Sequence, residues 1–127
     1  MPHVIQMTLD DRLLDISAPG PWARALDLIQ STSRFELWVS VPDGPSMCML
    51  RNGESAWLMY LRGPGDSGFR SVGDTHRPGV EAFTLDNGQV DEYPRAWCID
   101  VAQCLQALVD FRDRDGARPE SITWCDS

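Results

Sequence analysis

Few side chains in this sequence have the type and spacing that chemistry needs. His76 stands two residues after Asp74 in the stretch GDTHRPG, where a carboxylate-steered imidazole could take a proton. Gly63, Gly65 and Gly68 have the GxGxxG spacing of a dinucleotide-binding loop. Cys48, Cys98, Cys104 and Cys125 are candidates for disulfides or metal ligation, and Asp86, Asp91 and Glu92 crowd closely enough for an acid and base pair.

Context works against each of these chemistries. A dinucleotide site needs a helix straight after the glycine turn, so that its N-terminus faces the pyrophosphate, and FRSVGDTHRPG cannot supply one. The cysteines form no CxxC pair, and His3 and His76 are far from them in sequence. Without a secretory signal they read as buried free thiols. A lone histidine in a glycine- and proline-rich loop is simply solvated. Carboxylates on a hairpin tip ionise in water, with nothing to raise a pKa. GxSxG, HExxH, a P-loop and the zinc-deaminase pattern are all missing. The expectation is a protein without catalytic residues, metal or cofactor.

The elements that would position these residues follow from hydrophobic period and turn chemistry. Val4 to Leu9 reads as a first strand. Pro21 suits a first helical turn, and Trp22, Ala25, Leu26 and Ile29 fall on one helical face. RFELWVSV, Arg34 to Val41, alternates as a half-buried strand ended by PDGP. Two apolar runs then flank Asn52-Gly53, the dipeptide of a two-residue hairpin turn with positive φ at both positions. Met47, Met49, Trp57, Met59 and Leu61 stand on one parity, and Cys48, Leu50, Ala56, Leu58 and Tyr60 on the other. Such strands are central in a sheet, or one face meets a partner.

Arg62 to Gly79 is expected to be a long exposed loop with a short strand around Phe69 to Val72. A second hairpin turns at Asn87-Gly88, with Asp86, Asp91, Glu92 and Tyr93 around an acidic, exposed tip. Asp100 and Gln103 spell a capping box, with Ile99 and Cys104 as its hydrophobic staple. The following helix buries Val101, Cys104, Leu105, Leu108 and Phe111 and stops at Gly116. A last strand, Ser121 to Trp124, returns to the sheet and buries Trp124. The sum is an α+β fold, a mostly antiparallel sheet of about six to eight strands with two main helices packed against it, in one domain over residues 1–127.

Length and charge narrow the partner. The 127 residues carry 19 acidic side chains against 11 basic ones, all arginine, for a net charge of -8. Such a field repels nucleic acid and attracts a basic protein. No apolar run approaches a membrane span, and the expected location is the cytoplasm.

The stretch GQVDEYPRAWCIDVAQCLQALVDFRDRDGARPESITW resembles the C-terminal pattern of immunity protein family 1 of bacterial polymorphic toxin systems. The resemblance lies in Pro94, Ala107-Leu108, Phe111, Gly116, Pro119 and Trp124. It implies an α+β protein that binds and blocks a cognate toxin domain, often one of the deaminase fold and basic. Asp86, Asp91, Glu92 and Tyr93, with Asp66 and Asp74 in the long loop, are the residues expected to meet that partner; Trp97 is a further aromatic, read as core before interface. The competing reading is a cytoplasmic secretion chaperone, which would hold an extended segment of an exported effector and release it.

Overall fold

A computed structural model describes residues 5–126. His3, and Val4 at the head of the expected first strand, lie outside the described residues. The chain runs β1 (Gln6–Leu9), β2 (Arg12–Leu14), α1 (Pro19–Ser31), β3 (Arg34–Ser40), β4 (Ser46–Asn52), β5 (Ser55–Leu61), β6 (Phe69–Ser71), β7 (Val80–Thr84), β8 (Val90–Pro94), a 3-10 turn (Arg95–Trp97), α2 (Val101–Asp113) and β9 (Trp124–Asp126). Seven strands form one antiparallel sheet in the order β2-β1-β3-β4-β5-β6-β9, and β7 and β8 form a separate hairpin. The class is α+β, as the periodicities imply.

Alternation explains the first layer. Phe35, Leu37 and Val39 of β3, Met47 and Met49 of β4, and Ala56, Leu58 and Tyr60 of β5 all face one side of the sheet and are buried there. Onto them pack Trp22, Ala25 and Ile29 of α1 and Val101, Cys104, Ala107, Leu108 and Phe111 of α2. Each large apolar side chain removed from water in this way contributes roughly 1.5–3 kcal/mol. Leu105, expected in the stripe, is half-buried at its edge. The capping box is present: Asp100 Oδ1 accepts from Gln103 N at 2.7 Å, and Gln103 Oε1 accepts from Asp100 N at 3.3 Å.

Two sequence expectations for the central hairpin need correction. Asn52 pairs with Ser55, so the two turn residues are Gly53 and Glu54 rather than Asn52 and Gly53. Only Gly53 has positive φ, at 63°, the pattern of a turn with glycine in its first central position. The released Asn52 side chain instead donates from Nδ2 to Ala82 O of β7 at 2.9 Å. The second correction concerns faces. Met47 pairs with Tyr60, Met49 with Leu58, Cys48 with Met59 and Leu50 with Trp57, so odd numbers on one strand share a face with even numbers on the other. A two-residue turn imposes that offset, which number parity alone does not carry.

β4 also delivers a buried arginine to the helix layer. Arg51 is 7% exposed, and its Nη1 donates to the carbonyls of Ile29, Gln30 and Thr32 at 3.0, 2.9 and 3.1 Å, while Nε donates to Gly53 O at 2.8 Å. It closes the C-terminal end of α1, which has no basic residue of its own in the last turn.

The long segment after β5 is less open than its glycines suggest. Ser71 is fully buried, its Oγ accepting from Leu58 N and donating to Trp97 O. At Gly73 the backbone runs against the chain after β8, and an added Cβ would lie 1.9 Å from Cys98 O. Gly68 leads into a strand, not a helix.

Beyond α2, Gly116 takes φ 89° and its N–H bonds to Phe111 O, ending the helix as expected. The last strand is displaced from Ser121–Trp124 to Trp124–Asp126, because Pro119 and Ile122 first fill space below the sheet and pairing with β6 begins only at Trp124. Trp124 is half-buried rather than buried. It packs on Tyr60 at 6.0 Å, and its indole N–H donates to Pro119 O at 2.8 Å. Trp124→Ala should lower the unfolding free energy by about 3 kcal/mol, the low end for a truncated tryptophan. An unmoved urea midpoint would show that this contact contributes nothing.

Candidate partner interface

The sheet's second face is the part of the molecule that the helices leave uncovered. Pairing aligns Leu13, Thr8, Trp38, Cys48, Met59, Arg70 and Cys125 in one transverse row across all seven strands. The neighbouring row holds Glu36, Leu50 and Trp57. Over that second row lies the β7-β8 hairpin. Alternation turns Phe83 and Tyr93 toward the sheet, and Phe83 is buried with Cys48, Leu50, Trp57 and Cys98 in a second small core. Tyr93 sits 4.5 Å from Trp57 and 5.8 Å from Trp97, ring centre to ring centre. The hairpin thus covers one row and leaves the next as a groove of about 380 Å³ with Trp38, Met59, Arg70, Leu85, Tyr93 and Trp97 around it.

Two charges stand at opposite sides of this groove. On β6, Arg70 stacks its guanidinium over the Trp97 ring at 4.3 Å. On β3, Glu36 is held by three hydrogen bonds: its Oε2 accepts from Trp38 Nε1 at 2.8 Å, its Oε1 from Asp86 N at 3.1 Å, and its backbone N–H donates to Asp10 Oδ1 at 2.9 Å. Asp10, Asp11, Glu36 and Asp86 therefore gather where the β1-β2 turn, β3 and the hairpin tip meet. None of them belongs to an ion pair among the described residues. In the groove wall, Trp57 is 6% exposed and its indole N–H has no hydrogen-bond partner.

The expected partner-binding residues are distributed unevenly. Asp86, Asp91 and Tyr93 come together beside the groove, where Asp91 accepts from Tyr93 Oη at 3.0 Å and from Gln89 Nε2 at 2.6 Å. Burial, then the bond to Asp91, push the Tyr93 hydroxyl up to about 12. Asp86 corrects the expectation that nothing raises a carboxyl pKa on this tip: partial desolvation, then the charge of Glu36 and a side-chain hydrogen bond with it, then the charges of Asp11 and Asp10, hold it above the ordinary value. Protonation of Asp86 consequently favours the fold, and that contribution is lost as the pH rises through its raised folded-state pKa. Glu92 alternates to the outer, exposed side of the hairpin.

Asp66 and Asp74 lie elsewhere. Asp66 grips Arg62 through two oxygens, at 2.8 and 3.1 Å, which holds its carboxyl far below the usual range. It braces its loop. Asp74 accepts from His76 N and borders a different depression beside the start of α2, with Arg77 and Asp100. The residues that sequence reasoning missed are Glu36, Trp38 and Arg70. Of these only Trp38 carries a signal in the sequence, as an indole on the otherwise polar alternation of β3, between Glu36 and Ser40.

From Gly20 to Asp126 the sequence matches the family model described as immunity protein Imm1. The chain belongs to the Imm1 family of immunity proteins. No curated protein matches it. Membership makes a cognate toxin the partner of this Imm1 chain and turns attention from chemistry to surfaces. No helix among the described residues is long and apolar enough to cross a membrane.

Proposed function

We propose that this Imm1 chain works in the cytoplasm by binding a folded toxin domain through the half-covered second face of its sheet and the adjoining hairpin, so that the toxin's substrate cleft is occluded. The observation that carries this reading is the groove: an aromatic, partly open surface bordered by carboxylates without ion-pair partners, on a protein of net charge -8. Buried aromatic anchors slow dissociation, and uncompensated carboxylates speed encounter with a basic partner. A toxin that acts on nucleic acid, such as a deaminase, offers a basic cleft in which these carboxylates take the places of substrate phosphates.

The test is co-expression with the toxin domain encoded next to this gene, scored by growth rescue and by co-purification. Rescue with a complex that survives dilution supports the reading; toxicity without rescue sinks it, and capture of an unfolded segment alone would favour the chaperone. Reversing the exposed charges, Asp86→Lys with Glu92→Lys, should slow association about tenfold at low salt and flatten its salt dependence. Unchanged rates would move the interface away from the hairpin.

A further inference from the structure

We infer that the Glu36 side of the groove receives an arginine side chain of the partner, its guanidinium held between Glu36 and Asp86 and its plane laid on Trp38. The inference rests on the toxin-binding reading above and specifies the chemistry of its contact.

Charge complementarity selects the guest. Glu36, Asp86, Asp10 and Asp11 concentrate negative charge in one corner, and no cation of the described chain pairs with any of them. The bonds from Trp38 Nε1 and Asp86 N fix the Glu36 carboxylate in place while using one lone pair on each oxygen. What remains is a pre-oriented acceptor pair beside a half-exposed indole. A guanidinium fits both features, because its donors form a planar fork that matches a carboxylate and it is weakly hydrated enough to stack on an aromatic face. An ammonium would satisfy the charge without using the ring as well.

The groove already contains this pairing once, in Arg70 on Trp97 at its other side. That guanidinium repels a second cation from its own side, which leaves the Glu36 side for the guest. The volume of about 380 Å³ takes one long side chain with part of its backbone.

The test has two arms. In the first, the indole N–H signals of the isotope-labelled protein are followed by NMR during titration with N-acetyl-arginine amide and, separately, with the neutral N-acetyl-citrulline amide, up to about 50 mM. The Trp38 signal should shift with the arginine compound alone, and Glu36→Gln with Asp86→Asn should abolish the shift. No shift, or an equal shift with citrulline, overturns the inference whether or not a toxin has been found.

In the second arm the affinity for the neighbouring toxin domain is measured. The double variant should bind about 30-fold more weakly, and replacing one particular toxin arginine by glutamine should weaken the wild-type complex equally without adding to the effect of the double variant. Wild-type affinity in the double variant, while the wild-type protein still rescues growth, overturns the arginine site and leaves the immunity reading standing. If the double variant melts lower, Asp86→Asn alone, on the exposed tip, replaces it in both arms.

Discussion

Arg51→Ala is expected to lower the unfolding free energy by about 3 to 5 kcal/mol, a large share of the roughly 5 to 15 kcal/mol that holds a domain of this size together. The guanidinium is almost wholly buried, and its charge is balanced not by a carboxylate but by four carbonyl oxygens, those of Ile29, Gln30, Thr32 and Gly53. Two of these, Ile29 and Gln30, lie in the last turn of α1, where the helix dipole is negative, and Thr32 is its C-cap. Removing the side chain takes the donor from the part-buried carbonyls of Gln30, Thr32 and Gly53, leaves Ile29 O with the Thr32 N–H alone, and opens a cavity under the helix. Arg51→Met separates the two effects, because it keeps most of the packing volume and loses every donor. Chemical denaturation of both variants should show Met nearly as damaging as Ala. A methionine variant of wild-type stability would mean that these carbonyls find water without cost.

Gly73→Ala is expected to be the other severe change, costing about 3 kcal/mol or preventing soluble expression. Its mechanism differs, since no interaction is lost. The new methyl group would fall 1.9 Å from the Cys98 carbonyl, and Gly73 N itself donates to Ala96 O at 2.8 Å, so neither backbone can retreat without breaking a bond. The same crossing tethers the segment between β8 and α2 to the sheet, beside Ser71 and Trp97. Thermal denaturation of Gly73→Ala beside Gly63→Ala, where a Cβ meets nothing, isolates the effect of close approach from that of glycine's flexibility. Equal melting points for the two would refute it.

Both sites bear on what a sequence makes legible. The periodic elements could be read because each carries its instruction locally: Phe35, Leu37 and Val39 for a strand, Asp100 with Gln103 for a helix start, Gly116 for its end. Arg51 and Gly73 carry no such local sign. An arginine inside an apolar strand and a glycine in a loop acquire meaning only when α1 or the chain at Cys98 is brought against them. The candidate interface divides the same way. Asp86, Asp91 and Tyr93 could be picked out because a turn dipeptide and clustered charge mark them. Asp66 is picked out only as an acid in the long loop, and it is consumed by Arg62, four residues away. Glu36 and Trp38 join the site through the fold of the hairpin onto β3, 50 residues later in the chain, as the bond from Asp86 N to Glu36 records.

The sheet order also sets when each strand can pair during synthesis. From β4 to β6 each strand pairs with the one before it, so as the polypeptide emerges from the ribosome this stretch can zip without waiting for distant sequence. β3 reaches back over α1 to β1, and β9 must return across α2 to reach β6. A chain built this way acquires its central strands, with Trp38 and Glu36 on them, early in synthesis, and the groove is completed when the β7-β8 hairpin folds onto them. For a protein whose partner is a toxin, short latency between translation and competence is itself protection.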